Sequence, residues 1–497
     1  MINKLKSLYS NLSVQVKASL WFLCCGFLQK GISLITTPIF TRVMTETQYG
    51  RYSVYYSWFS ILQIIVSLNL AAGVYTRGLV KNEEDQDRFS SSMLGLNTTC
   101  ILVWTVVYLI FHKSINDVLG LSSLLMGAML LDIWANAAFQ FWSNRERVNF
   151  RYKKLVAITL ISVILKPVLG VVTVCYVDEG FQAEGRILVA VAVNALLFSA
   201  LYIAIAKKGN HFFDKQYWSY ALKFNLPLVP HYLSQIILNQ SDRLMIDKYC
   251  GASFTAYYSV AYTLAMVLQI LNTSISGTMN PWIYKSIKAN DFKKIAGISY
   301  GVLGVIAISN FLVVAAAPEF LMILAPEQYQ AAVWVIPPVT VSVYFTFLYN
   351  LFATFEYYYE KTGYVMVASV SGAVLNVILN MIFIPKFGFI AAGYTTLVCY
   401  ILYAVAHYMF MVRVSHICMN GEKVYSLKNI LMIGGILLIA SAGIMLLYPV
   451  PIARYSLIAL IALAGLINRK KIENIIKSFM DTMKSKSKEG RRENEEV

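Results

Sequence analysis

Five ionisable side chains stand in stretches that are otherwise strongly apolar: the bases Lys30, Lys166 and Arg243 and the acids Asp132 and Asp242. Each lies in a run of about 20 residues, long enough to cross a bilayer. A charge at the centre of a membrane helix costs about 2.5–3.5 kcal/mol on an insertion scale, so three bases facing lipid would cost about 7–10 kcal/mol. Lys30 is too deep for its stem to reach the headgroups, because half of the hydrocarbon core is about 15 Å. These side chains must face a wet cavity or partners. Pairing with Asp132 and Asp242 to hold helices together is the structural alternative, yet three bases meet only two acids in the spans. An excess of fixed positive charge in a cavity suits an anionic substrate, since Lys and Arg bind phosphate oxygens directly. Gln29, Gln235 and Asn239 add amides suited to sugar hydroxyls. Amides in spans also serve as interhelical contacts, which is their structural alternative.

Catalytic signatures are absent. The chain has no G-x-x-x-x-G-K-[ST] nucleotide loop and no H-E-x-x-H pair, and its five histidines are scattered. His231, between Pro230 and Tyr232, reads as a hydrogen-bonded interior histidine. The seven cysteines form no C-x-x-C pair and read as packed thiols. No resident cofactor or metal is expected, although a coupling proton or sodium ion fits Asp132 or Asp242 as its carrier. Asp178, Glu179 and Glu184 cluster in one short segment and read as solvated loop acids.

The elements that hold these charges follow from hydropathy. With 58% apolar and 14% charged residues among 497, the chain departs from soluble domains, which carry about 25% charged residues. It reads as an all-α, polytopic membrane protein of about 14 spans. The first six are expected at Ala18–Thr41, Tyr52–Thr76, Ser90–Phe111, Leu121–Trp142, Leu155–Val177 and Ile187–Ala206. The next six are Phe224–Ile246, Phe254–Trp282, Ile295–Ala317, Ala331–Phe355, Tyr364–Ile384 and Phe389–Val412. Leu427–Leu447 and Ile452–Ile467 complete the set. Residues 1–17 read as an amphipathic surface helix, and the basic tail 469–497 places Ile472, Ile475, Ile476 and Phe479 on one helical face.

Charge fixes the orientation. With the N-terminus inside, 32 Lys and Arg fall in inner segments and seven in outer ones, so both termini are expected on the cytoplasmic side. The +16 net charge therefore faces the anionic inner leaflet and not a nucleic acid. Two sequence echoes share nearly one offset. Tyr52-Ser53-Val54 recurs as Tyr258-Ser259-Val260, 206 residues on, and the G-F-x-A-x-G turn at Gly180 recurs at Gly388, 208 residues on. One six-span unit thus occurs twice, over 18–210 and 211–415, followed by two extra spans in 416–468. Parallel repeats with an even number of spans enclose a central cavity, the architecture of a transporter.

The run Asn239-Gln240-Ser241-Asp242-Arg243-Leu244, with Gly251 and Tyr257-Tyr258-Ser259-Val260-Ala261-Tyr262, resembles the seventh-helix region of polysaccharide repeat-unit flippases. These are the O-antigen and capsule translocases of the multidrug/oligosaccharidyl-lipid/polysaccharide exporter superfamily. Thr47-Gln48-Tyr49-Gly50-Arg51-Tyr52-Ser53 resembles the first outer loop of the same proteins. The resemblance implies a transporter and not an enzyme. It implies a lipid-linked oligosaccharide on undecaprenyl diphosphate, moved from the cytoplasmic to the periplasmic leaflet of a bacterial inner membrane. Membrane lipids and other polysaccharide-assembly proteins are the further partners it implies. A lipid II flippase is a related reading. A cation-coupled multidrug exporter of the same superfamily calls for acids dominating the cavity, whereas the spans here hold three bases to two acids. A membrane glycosyltransferase calls for a sizeable loop with catalytic carboxylates, and the outer loops here are short.

Overall fold

A computed structural model describes residues 14–467. The surface helix expected over 1–17 lies mostly outside the described residues, and the tail 469–497 lies wholly outside them. The described chain is all α, as its hydropathy requires. The first helices are α1 (Val14–Val43), α2 (Glu46–Ser67), α3 (Gly73–Lys81), α4 (Gln86–Leu119), α5 (Ser123–Val148) and α6 (Tyr152–Tyr176). Then come α7 (Gln182–Gly209), α8 (Lys215–Asn225), α9 (Val229–Cys250), α10 (Ala252–Lys288), α11 (Phe292–Ala315) and α12 (Ala317–Leu324). The chain continues through α13 (Ile336–Tyr358), α14 (Thr362–Phe387), α15 (Ile390–Cys418), α16 (Leu427–Met445) and α17 (Pro451–Ile467).

Eleven of these helices are long and apolar enough to cross a membrane. The other three expected spans are also helical. Two of them, α2 and α9, carry runs of Tyr, Ser, Asn and charged residues, and α17 has only 17 residues. With this fold the chain is a multi-pass membrane protein.

Two compact units make up the chain. One runs to Ser259 and includes Val377–Phe389; the other comprises Val260–Asn376 and the chain from Ile390. Within the second unit α13 is enclosed along nearly all of its length, whereas α1 of the first unit is peripheral. In the second unit the buried Arg454 of α17 donates to Glu319 of α12, and the Tyr455 hydroxyl donates to the same carboxylate at 2.6 Å.

The second expected span, Tyr52–Thr76, departs from a single helix. It breaks between α2 and α3, where Leu68 and Asn69 take φ near +50°. Asn tolerates this left-handed region better than most residues. Side chains from distant helices satisfy the backbone groups that the break releases. Asn225 of α8 donates to the Leu68 carbonyl, and Asn144 of α5 donates to Ala71 at 2.6 Å. Irregular backbone at membrane depth requires such partners, because lipid offers none.

Candidate functional site

Asp242 and Arg243 are neighbours on α9, so their side chains leave the helix on different faces. Asp242 is 1% exposed and accepts from the Tyr258 hydroxyl on α10 and from Asn380 Nδ2 on α14 at 2.6 Å. The carboxylate therefore ties three helices of the first unit together. Arg243, 8% exposed, donates to the Asn239 carbonyl at 2.9 Å and approaches Gln240 Oε1 at 3.4 Å. Its guanidinium lies 5.6 Å from the centre of the Tyr258 ring. Gln240 Oε1 also accepts from Ser57 Oγ of α2 at 3.2 Å, and Asn239 Nδ2 donates to the Gln235 carbonyl at 2.7 Å.

Asp132 on α5 is likewise 1% exposed. Its Oδ1 accepts from Asn136 at 2.7 Å and from Asn194 of α7 at 2.8 Å. Lys166 of α6, half-buried beside Pro167, is electrostatically coupled to Asp132 but forms no ion pair within 4.0 Å among the described residues. Lys30 and Gln29 are exposed on α1, and Lys30 has no ion-pair partner among the described residues. Asp132 is thus held by neutral amides, and Asp242 accepts from an amide and a phenol. No described ion pair joins either acid to Lys30 or Lys166.

The motif Thr47–Ser53 acquires a geometric reason. Thr45 caps α2 through its side chain, and Gln48 Nε2 donates to Gly180 at 2.8 Å while its Oε1 accepts from the Ala183 N–H at 3.1 Å. Gln182 answers by accepting from the Thr45 N–H at 3.0 Å and donating to Val43 at 3.1 Å. Gly50 lies directly against α10: a Cβ there would sit 1.8 Å from the Ala252 carbonyl oxygen. Thr47 Oγ1 meets Ser253 Oγ at 2.9 Å, and Tyr257 donates to Glu46 at 2.7 Å. Thr47 and Ser253 are 206 residues apart, the offset at which Tyr52–Val54 recurs as Tyr258–Val260, so this bond joins corresponding positions of the duplicated sequence.

The family model for polysaccharide biosynthesis proteins matches residues 16–287, which include Lys30, Asp132, Lys166, Asp242 and Arg243. The chain belongs to that family. Protein 1 of the Lsg locus of Haemophilus influenzae is 23% identical over 379 residues, 73% of this chain and 89% of its own length. Among solved structures, the lipid II flippase MurJ in an inward closed conformation aligns with a TM-score of 0.69 at 15% identity, over 91% of this chain and 100% of that one. The MATE transporter VcmN of Vibrio cholerae gives 0.56 at 11% identity, over 83% of this chain and 97% of that one. A MOP superfamily transporter from Pyrococcus furiosus gives 0.57 at 12% identity, over 81% and 95%. At such identities the likeness is one of fold. The fold is one that a lipid II flippase and MATE transporters also adopt, and the family match agrees with the resemblance seen in the sequence.

Some partners in the site were within reach of sequence reasoning and others were not. Asn136 follows Asp132 by four residues, the spacing that places two side chains on one helical face. Asn194 and Asn380 lie 62 and 138 residues from the acids they meet, and Tyr258, 16 residues after Asp242, stands on the next helix, so helical spacing pairs none of them with an acid. Arg186 is packed between Phe40 and Tyr52, 3.4 and 3.5 Å from their ring centres. Tyr52 is therefore a partner of that cation as well as an aromatic residue near a span end.

Proposed function

We propose that this protein moves an oligosaccharide carried on undecaprenyl diphosphate from the cytoplasmic to the outer leaflet of a bacterial inner membrane. Its product feeds O-antigen or capsular polysaccharide assembly, beside the other proteins of that process. The substrate's diphosphate is gripped by Lys30, Lys166 and Arg243 while its lipid tail stays in the bilayer. Gln29, Gln235 and Asn239 meet the sugars. The six-span halves 18–210 and 211–415 rock about the cavity, both termini remaining cytoplasmic, and Asp132 or Asp242 carries a coupling proton or sodium ion.

The observation that carries this reading is Lys30: an exposed ammonium in the body of a long apolar helix, with no described carboxylate to neutralise it. A charge so placed is costly against lipid and useful against a phosphate. The match to the polysaccharide biosynthesis family supports the sugar part of the substrate. The fold shared with a lipid II flippase supports a lipid-diphosphate cargo, and it keeps lipid II itself as the second reading.

The test is restoration of surface polysaccharide in a flippase-deficient strain, with lipid II flippase depletion and drug resistance assayed alongside. Lys30→Gln and Arg243→Gln abolish export at normal protein levels, and Lys30→Arg keeps part of it. Each lost charge-assisted contact, about 1.5–3 kcal/mol, weakens the grip roughly tenfold to hundredfold. Normal export in both Gln variants, with drug resistance lost in Asp132→Asn, assigns the chain to drug export instead.

A further inference from the structure

Two ionisable groups remote in sequence from these charges are sealed inside the second unit. Glu356, on the last turn of α13, and His407, on α15, both have no exposure. His407 Nδ1 and Glu356 Oε1 are 2.7 Å apart. The other polar atoms of the pair, Glu356 Oε2 and His407 Nε2, are buried with no hydrogen-bond partner. Tyr349 stacks on the imidazole with ring centres 5.4 Å apart, Tyr403 meets it edge-on at 4.6 Å, and Phe410 lies at 6.4 Å. The Tyr403 hydroxyl is 3.0 Å from Ser369 Oγ of α14.

This is a poor place for a lone charge. A carboxylate at a helix C-terminus meets the negative end of the macrodipole, and a dry site penalises any ion that lacks a partner. Beside the imidazole, α13 brings Tyr349 and α15 brings Tyr403. Further off, Arg413 of α15 sits 5.9 Å from the Tyr364 ring of α14, and α11 brings Tyr300 with Tyr425 at 6.2 Å. Tyr284 of α10 packs on Tyr358 at 5.4 Å, and the only ionisable residue of α16 is Lys428 in its first turn. Lys361 donates its backbone N–H to the Glu356 carbonyl at 2.8 Å. Among the described residues, His407 is the one basic side chain within ion-pair distance of Glu356.

We propose that the Glu356–His407 pair is a proton-binding site whose occupancy sets the packing of α13 against α15, and with it the exchange between transport states. The coupling to transport rests on the flippase reading above; the proton site does not. With the proton bound, the imidazolium donates from Nδ1 to Glu356 and the pair is neutral overall. Release breaks the Nε2–H bond, the electron pair stays on nitrogen, and the proton passes to water. The Nδ1–H bond to the carboxylate survives, but the site now holds one net negative charge. Only water or another cation can compensate that charge, so the helices part at this level. The two atoms without partners are those that change state or become hydrated.

The test uses the full-length protein in lipid nanodiscs without substrate. Hydrogen exchange, corrected for its intrinsic pH dependence, is followed across residues 345–358 and 400–412 from pH 5 to 9. In the wild type, exchange in both segments rises at least tenfold through a one-proton step. In Glu356→Gln the step disappears, because a buried amide leaves no charge to compensate. Should that variant fold poorly, the double variant Glu356→Gln/His407→Gln keeps a hydrogen-bonded neutral pair and is flat across the range. A flat wild-type profile, or a step that persists in the double variant, overturns the proton site. Unchanged export in Glu356→Gln overturns its link to transport. A wild-type chain that restores no polysaccharide speaks against the substrate reading alone, and the exchange profile still decides the proton site.

Discussion

Replacing Gly50 with alanine forces apart the contact between α2 and α10. The added Cβ falls 1.8 Å from the Ala252 carbonyl oxygen and 2.5 Å from its carbon. Ordinary contacts lie near about 3.5 Å, so the helices must separate by roughly 1.5–2 Å. The Thr47–Ser253 bond, 2.9 Å long, then stretches beyond hydrogen-bonding reach, and the Tyr257–Glu46 bond at 2.7 Å is pulled with it. Overpacking of this kind costs about 1–3 kcal/mol, and each lost hydrogen bond about 0.5–1.5 kcal/mol. The state with these ends together is thus disfavoured by about 2–6 kcal/mol, a shift of thirtyfold or more at about 1.4 kcal/mol per factor of ten. The assay is disulfide formation between cysteines placed at Thr47 and Ser253, read with and without Gly50→Ala. Crosslinking is expected to be efficient with Gly50 and to fall sharply with alanine, while the protein level in the membrane stays normal and export declines. Equal crosslinking and undiminished export refute a closing contact at Gly50.

The remaining predictions are local. Tyr258→Phe removes a hydroxyl that donates to the buried Asp242 carboxylate and lowers stability by about 1–3 kcal/mol; an unchanged melting temperature in detergent refutes that contribution. Cysteines at Asn116 and Gln328 label from outside intact cells and one at Lys208 does not, as the 32-to-7 charge distribution requires. Outside labelling at Lys208 reverses the orientation. In the loop between α7 and α8, burial pushes the Asp214 carboxyl up, but the N–H groups of Tyr217 and Gln216 and the Arg88 guanidinium outweigh it and hold the group below its ordinary range. A carboxylate so depressed stabilises fully above the ordinary carboxylate range and loses that effect as pH falls through its lowered value. Hydrogen exchange in residues 207–217, corrected for its intrinsic pH dependence, should therefore rise on acidification, and Asp214→Asn should remove the dependence.

Hydropathy and charge, both properties of short windows, were enough to establish an all-α polytopic chain and to mark Lys30, Lys166, Arg243, Asp132 and Asp242 as out of place. They also brought Asn136 within reach, because helical periodicity relates residues four apart. Bonds between helices obey no such window. Asp132 finds Asn194 on α7, Asp242 finds Tyr258 and Asn380 on α10 and α14, and the break at Leu68–Asn69 is possible because Asn225 and Asn144 arrive from elsewhere. Glu356 and His407, 51 residues apart, have no local signal that joins them, and they meet because α13 and α15 pack together. Gly50 belonged to a recognisable motif, yet its necessity came from a carbonyl 202 residues away. A membrane helix can be read from its own residues because the bilayer acts on each helix separately, whereas the partner of a buried polar group depends on which helix faces it, and tertiary packing alone decides that.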